Sequence, residues 1–133
     1  MLTKKNVLLI SGAVSILLVF IDRIGTYQLC GGYPGLCVDT LFNSSMLLFV
    51  FPFVFLFSVV TYFLSESVFR AWVNFAKWWV PVQILLVALI PESSGGYFVA
   101  ILDKQFAAII LSGLFATISL LIILISWFRS RTS

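Results

Sequence analysis

The sequence predicts an all-α integral membrane protein, a four-transmembrane-helix antiparallel bundle with both termini cytoplasmic. Three observations predict it. The first is composition: of 133 residues 62% are hydrophobic and only 10% charged, against roughly 25% charged in soluble domains. The second is that the apolar residues fall in four blocks, about 6–24, 41–64, 71–90 and 105–128. Each is long enough to cross a hydrocarbon core of roughly 30 Å, which takes about 20 helical residues. The third is the placement of the basic residues, which gives the threading.

Once the four blocks are assigned, too little chain remains for a soluble domain, so residues 1–133 read as one membrane domain. Short connections make consecutive helices antiparallel neighbours. The first block follows Lys4 and Lys5, the basic start of a secretory signal. The stretch LVFIDRIG offers no small-residue cleavage pattern, so it is read as an uncleaved first helix.

With a cytoplasmic N-terminus, Lys4, Lys5, Arg70, Lys77, Arg129 and Arg131 lie inside and only Arg23 and Lys104 outside. This is the positive-inside pattern and sets both termini in the cytoplasm. The expected location is the cell (cytoplasmic) membrane, multi-pass. The net charge of +3 then follows from orientation and attraction to anionic headgroups, and the lipid bilayer, not nucleic acid, is the expected partner.

The same threading puts Cys30 and Cys37, in CGGYPGLC, on the outer side within a loop over 25–40. Disulfides persist there. Pro34 and Gly35 suit the central positions of a tight turn that brings the two thiols together. Closing such an eight-residue loop is worth on the order of 2.5 kcal/mol in the chain-entropy view.

Catalytic thiol pairs more often use C-x-x-C near a helix N-terminus, whereas six residues intervene here. The topology is similar to that of the bacterial disulfide-forming quinone reductases, four-helix membrane proteins with cytoplasmic termini. Those use two cysteine pairs, the first of C-x-x-C type, and this chain has a single pair. A structural disulfide is therefore the reading taken.

The chain has no histidine, which excludes a Ser-His-Asp or Cys-His nucleophile and histidine-ligated haem. Two cysteines alone make a poor metal site. No phosphate-binding or dinucleotide fingerprint occurs. No catalytic residue, metal or cofactor is expected.

In the second block, LFVFPFVFLF (48–57) alternates as a strand would, but a lone strand cannot cross lipid with its backbone unpaired. As a helix it carries Phe49, Phe53 and Phe57 on one stripe and Phe51 and Phe55 on another. One stripe is expected to pack in the bundle and the other to meet lipid or a partner. Pro52 is expected to kink this helix.

The stretch SESVFRAWVNFAKWW (65–79) reads as a cytoplasmic amphipathic connection leading into the third span. Arg70, Trp72, Lys77, Trp78 and Trp79 are its expected interfacial anchors. The third span has two readings. In one it begins near Ala71, Lys77 snorkels inward, and 91–104 is an outer loop. In the other it runs from Val80 to Leu102, is broken at PESSGG, and buries Glu92, which is a transporter feature. Gln83 is its strongly polar interior residue in either case. With Glu92 it forms the candidate intramembrane polar site.

In the fourth span Ala108, Ser112 and Ala116 recur every four residues, a small-residue stripe that permits close helix approach. Ser11 and Ser15 give the first span a similar patch, and the two are expected to pack together or to face another subunit.

The function expected is that of a non-enzymatic accessory or structural subunit, acting through helix and outer-loop contacts on another membrane protein or on a second copy. The alternatives are a small transporter or channel with a broken third helix around Glu92, and a membrane thiol-disulfide oxidoreductase using Cys30 and Cys37.

Overall fold

A computed structural model describes residues 2–24, 28, 30–32, 35–90 and 103–132. Its helices are α1 (Lys4–Ile24), α2 (Leu36–Leu47), α3 (Phe51–Tyr62), α4 (Glu66–Leu89) and α5 (Lys104–Thr132), with no strand among the described residues. Taken together, α2 and α3 form one apolar stretch, so the described residues include four helical segments long and apolar enough to span a membrane. The shortest, α1, has 21 residues, or about 31 Å of helix.

Three boundaries differ from the sequence expectation. The second span starts at Leu36, not near Leu41, because its first turn is well made. Asp39 sits at the positive end of the α2 dipole, and the Thr40 hydroxyl donates to the Leu36 carbonyl at 2.6 Å. Cys37 therefore belongs to a helix and not to a loop. In the third span the amphipathic connection and the membrane segment are one unbroken helix, Glu66–Leu89, with Pro81 in its interior. Its 24 residues give about 36 Å, sufficient to span without any residue beyond Leu89. The fourth span continues past Phe128 to Thr132.

The second span is interrupted at residues 48–50. Pro52 has no N–H, and the chain tightens around it. The Phe51 N–H bonds the Leu48 carbonyl at 3.0 Å, and the Phe53 N–H bonds the Val50 carbonyl at 3.1 Å. These are i→i+3 bonds, and they take Leu47 and Phe49 carbonyls out of the regular ladder.

The most extensive helix contacts are α4 with α5 and α1 with α3, while α2 and α3 touch both α4 and α5. Partners fall along one helix as they rise along the other. Lys4 meets Leu64, Ser11 meets Ser58, and Gly12 lies against Phe55. Likewise Trp72 meets Ser119, Phe75 stacks on Phe115, and Gln83 meets Ser112. The core lies among α3, α4 and α5, where Phe57, Phe69, Trp72 and Phe115 are all buried. Only Ser11 and Gly12 of α1 are buried.

The phenylalanine stripes divide as follows. Phe57 enters the core and meets Phe115 edge-on at 6.2 Å, and Phe49 meets Phe53 edge-on at 6.0 Å. On the other stripe Phe51 also packs against the core, while Phe55 is partly exposed and covers Gly12 of α1.

Candidate functional site

The polar side chains inside the bundle form a ladder between helices. Gln83 on α4 is buried, and its amide donates to the Ser112 hydroxyl of α5 at 2.8 Å. The Gln83 oxygen accepts from the Trp79 indole, one helical turn earlier, at 2.9 Å. A second rung lies three turns along α4, where the Trp72 indole donates to the Ser119 hydroxyl at 3.2 Å. In the apolar interior each unmet group is expensive, and among the described residues every buried side-chain nitrogen and oxygen has a partner.

The other small polar groups are held within their own helices. Ser11 donates to the Val7 carbonyl at 2.6 Å, Ser58 to Phe55 at 2.8 Å, and Thr61 to Phe57 at 2.8 Å. The Ser11 and Ser58 hydroxyls also approach to 3.5 Å, the polar contact between α1 and α3.

This arrangement reassigns several residues. Trp72, expected at the interface with lipid, is fully buried in the bundle because Ser119 of α5 stands level with it and accepts its N–H. Trp79 is half-buried and turned to Gln83, while Trp78, 71% exposed, is the indole on the outer surface. Lys77 is exposed and lines a shallow surface groove with Trp78 and Pro81. Arg70 is exposed and pairs with Glu66 at 3.5 Å. Ala108 and Ser112 are fully buried, Ser112 against Gln83 of α4, and Ala116 packs against the core. Ser11 meets Ser58 of α3, so the small patch of α1 does not pair with the stripe of α5.

Sequence reasoning did not single out Ser119, Ser58 or Thr61. Ser119 follows Ser112 by seven residues, two turns, so the spacing carries the signal. Ser58 and Thr61 leave no comparable trace, since their main partners are carbonyls of their own helix.

At one end of the bundle the charges gather. The Lys4 ammonium donates to the Leu64 carbonyl at 2.7 Å, lies 3.7 Å from Glu66, and stands over the Phe69 ring. It thereby joins the start of α1 to the end of α3 and the start of α4. Arg131 packs its guanidinium on the Trp127 ring at 4.1 Å, and a polar cleft of about 520 Å³ lies between Ser67 and Ala71 of α4 and Ser126 and Ser130 of α5.

Cys30 and Cys37 are joined in a disulfide with Cα atoms 5.9 Å apart. Gly31 and Gly32 follow with φ of 73° and 83°, the left-handed region that glycine enters without strain. Tyr33 and Pro34 of the expected turn lie outside the described residues, as does Glu92 with the whole stretch 91–102. Among the described residues no cluster of three metal-ligating side chains occurs. No family model matches the chain, and no curated protein or solved structure matches it either.

Proposed function

We propose that the chain is a non-enzymatic accessory or structural subunit of the cell membrane, an antiparallel four-helix bundle with both termini cytoplasmic that works by contacting another membrane protein. The descending partner order along α1 and α3, and along α4 and α5, supports the antiparallel arrangement. The gathering of Lys4, Arg70 and the Arg129–Arg131 segment at one end supports the inside assignment of that end.

The observation that carries the reading is the outer face of α1. This helix packs chiefly on α3 and leaves Leu9, Ile16, Leu17 and Phe20 exposed. Beside them a groove of about 440 Å³ runs along Gly12, Ser15, Ile16 and Val19. Small residues flanked by large apolar ones let a second helix approach closely, which is how membrane helices associate without a hydrophobic drive between them. The disulfide steadies the chain next to this helix and supports an outer contact.

The transporter alternative centred on Glu92, with its break at PESSGG, rests on residues outside those described. In the oxidoreductase alternative the Cys30–Cys37 disulfide would cycle with two thiols.

Mild detergent extraction followed by native mass spectrometry, with and without reductant, tests the proposal. A hetero-complex that keeps its composition under reductant and dissociates in Ser15→Leu is the expected result. A monodisperse single chain overturns it, and a homo-oligomer replaces the foreign partner with a second copy. A mixed disulfide with another protein favours the redox alternative.

A further inference from the structure

The interruption of the second span opens onto a groove of about 470 Å³ between α1 and α2, which adjoins the α1 face described above and shares Val19 with it. Val19, Phe42, Met46 and Phe49 supply apolar wall, Pro52 lines it where α3 begins, and Asp22 is its charged residue. The volume lies within the roughly 300–1,000 Å³ of small-molecule sites.

Three features make the electrostatic character of this groove negative. The Asp22 carboxylate lines it directly. Here α2 also ends, so the negative pole of its dipole lies at the interruption; the Ser44 and Met46 carbonyls accept from the Leu48 and Phe49 N–H groups, while Phe49, which lines the groove, has its carbonyl outside the regular ladder. The positive pole of α3 at the same place is muted. The Phe51 and Phe53 N–H groups are already taken by Leu48 and Val50, and Pro52 has none. Lastly, Phe42 and Phe49 can offer ring faces to a cation. The nearest basic residue in sequence, Arg23, lines the adjoining groove with Gly12, Ser15 and Phe55 and is not in the lining of this one.

We propose that this groove binds a lipophilic organic cation, a molecule with an apolar body and a single ammonium- or phosphonium-type charge. Asp22 faces the charge, and the aromatic and aliphatic walls hold the body. A freed carbonyl, here that of Phe49, beside a carboxylate at a broken membrane helix is a recurrent way to hold a cation within a bilayer protein. This site goes beyond the accessory reading and does not depend on it.

The test uses the full chain in nonionic detergent and equilibrium dialysis with tetraphenylphosphonium, with protein-free micelles subtracted. Saturable binding of one equivalent is expected. It weakens by about tenfold or more in Asp22→Asn, persists in Asp22→Glu, and is unchanged in Arg23→Gln. Met46→Trp, which fills the groove, abolishes it; Ser45→Leu serves the same purpose if that variant does not fold. Equal saturable binding of tetraphenylborate, which has the same body and the opposite charge, overturns the proposal. So does wild-type affinity in Asp22→Asn, or no saturable binding in the folded parent.

Discussion

The Gln83 amide bridges two partners, donating to Ser112 at 2.8 Å and accepting from Trp79 at 2.9 Å, so one polar side chain fixes α4 against α5. Polar pairs between membrane helices average about 0.6 kcal/mol and reach about 1.7 kcal/mol. Ser112→Ala is expected to destabilise within that range, since it removes the acceptor and leaves a buried N–H without a partner. A double-mutant cycle of Ser112→Ala with Gln83→Leu, read by unfolding in mixed detergent micelles, measures the coupling. A coupling indistinguishable from zero refutes the bridge.

The second rung separates ring from hydrogen bond. Trp72 is fully buried, donates to Ser119, and sits 6.3 Å from Phe69. Trp72→Phe keeps most of the apolar contact and loses the N–H, a loss of about 0.5–1.5 kcal/mol. Trp72→Ala empties the site and costs about 3–5 kcal/mol. Were Trp72 a lipid-facing anchor, both variants would have small and similar effects, so the ratio in the same unfolding assay decides its place.

Much of the architecture is legible in the sequence because lipid leaves the backbone few choices. A block of about 20 apolar residues must be helical, and its ends can be read within a few residues. Gln83 is legible too, as a strongly polar residue in an apolar run. Its partner is not, because Ser112 and Ser119 become partners only through the register of α4 on α5. Ser11 shows the same limit: a small-residue patch says that a helix can come close but not which one, and it is α3. Pro52 announces a distortion. The three-residue interruption at 48–50 depends on the Leu48 carbonyl finding the Phe51 N–H, which composition does not encode. Trp72 misleads for a physical reason, since indoles beside basic residues usually sit at the interface, whereas this ring packs in the core beside Phe69 and gives its N–H to the facing Ser119.

Gly12 sets the approach of α1 to α3. A Cβ there would stand 3.1 Å from the Phe55 ring, a few tenths of an ångström too close. Phe55 is 37% exposed and has room to turn, so Gly12→Ala is expected to be nearly neutral. Gly12→Val branches toward the ring and is expected to loosen the pair by about 1–3 kcal/mol. Phe55→Leu in the Gly12→Val background should restore much of the loss. Crosslinking between cysteines placed at Ser11 and Ser58, whose hydroxyls approach to 3.5 Å, reports the contact, and an undiminished yield in Gly12→Val contradicts the close approach.

The disulfide lends itself to the sharpest separation of structure from redox chemistry. Cys37 stands in the first turn of α2 and Cys30 lies before the glycine pair, so the bond ties the entry of the second span to the chain that leaves the first. Replacing both cysteines with serine frees an eight-residue loop, which in the chain-entropy view lowers stability by about 2.5 kcal/mol. The loss acts on the unfolded chain and not on the packing of α4 against α5. Tryptophan fluorescence at Trp72 and Trp79 is therefore expected to be unchanged in the folded double variant, while its unfolding midpoint falls. The single variants Cys30→Ser and Cys37→Ser are expected to match the double variant once the remaining thiol is alkylated. A working redox pair gives a different pattern, in which loss of either cysteine abolishes thiol exchange with a partner while stability hardly moves. Measuring both stability and exchange on the same three variants distinguishes a staple from a redox couple.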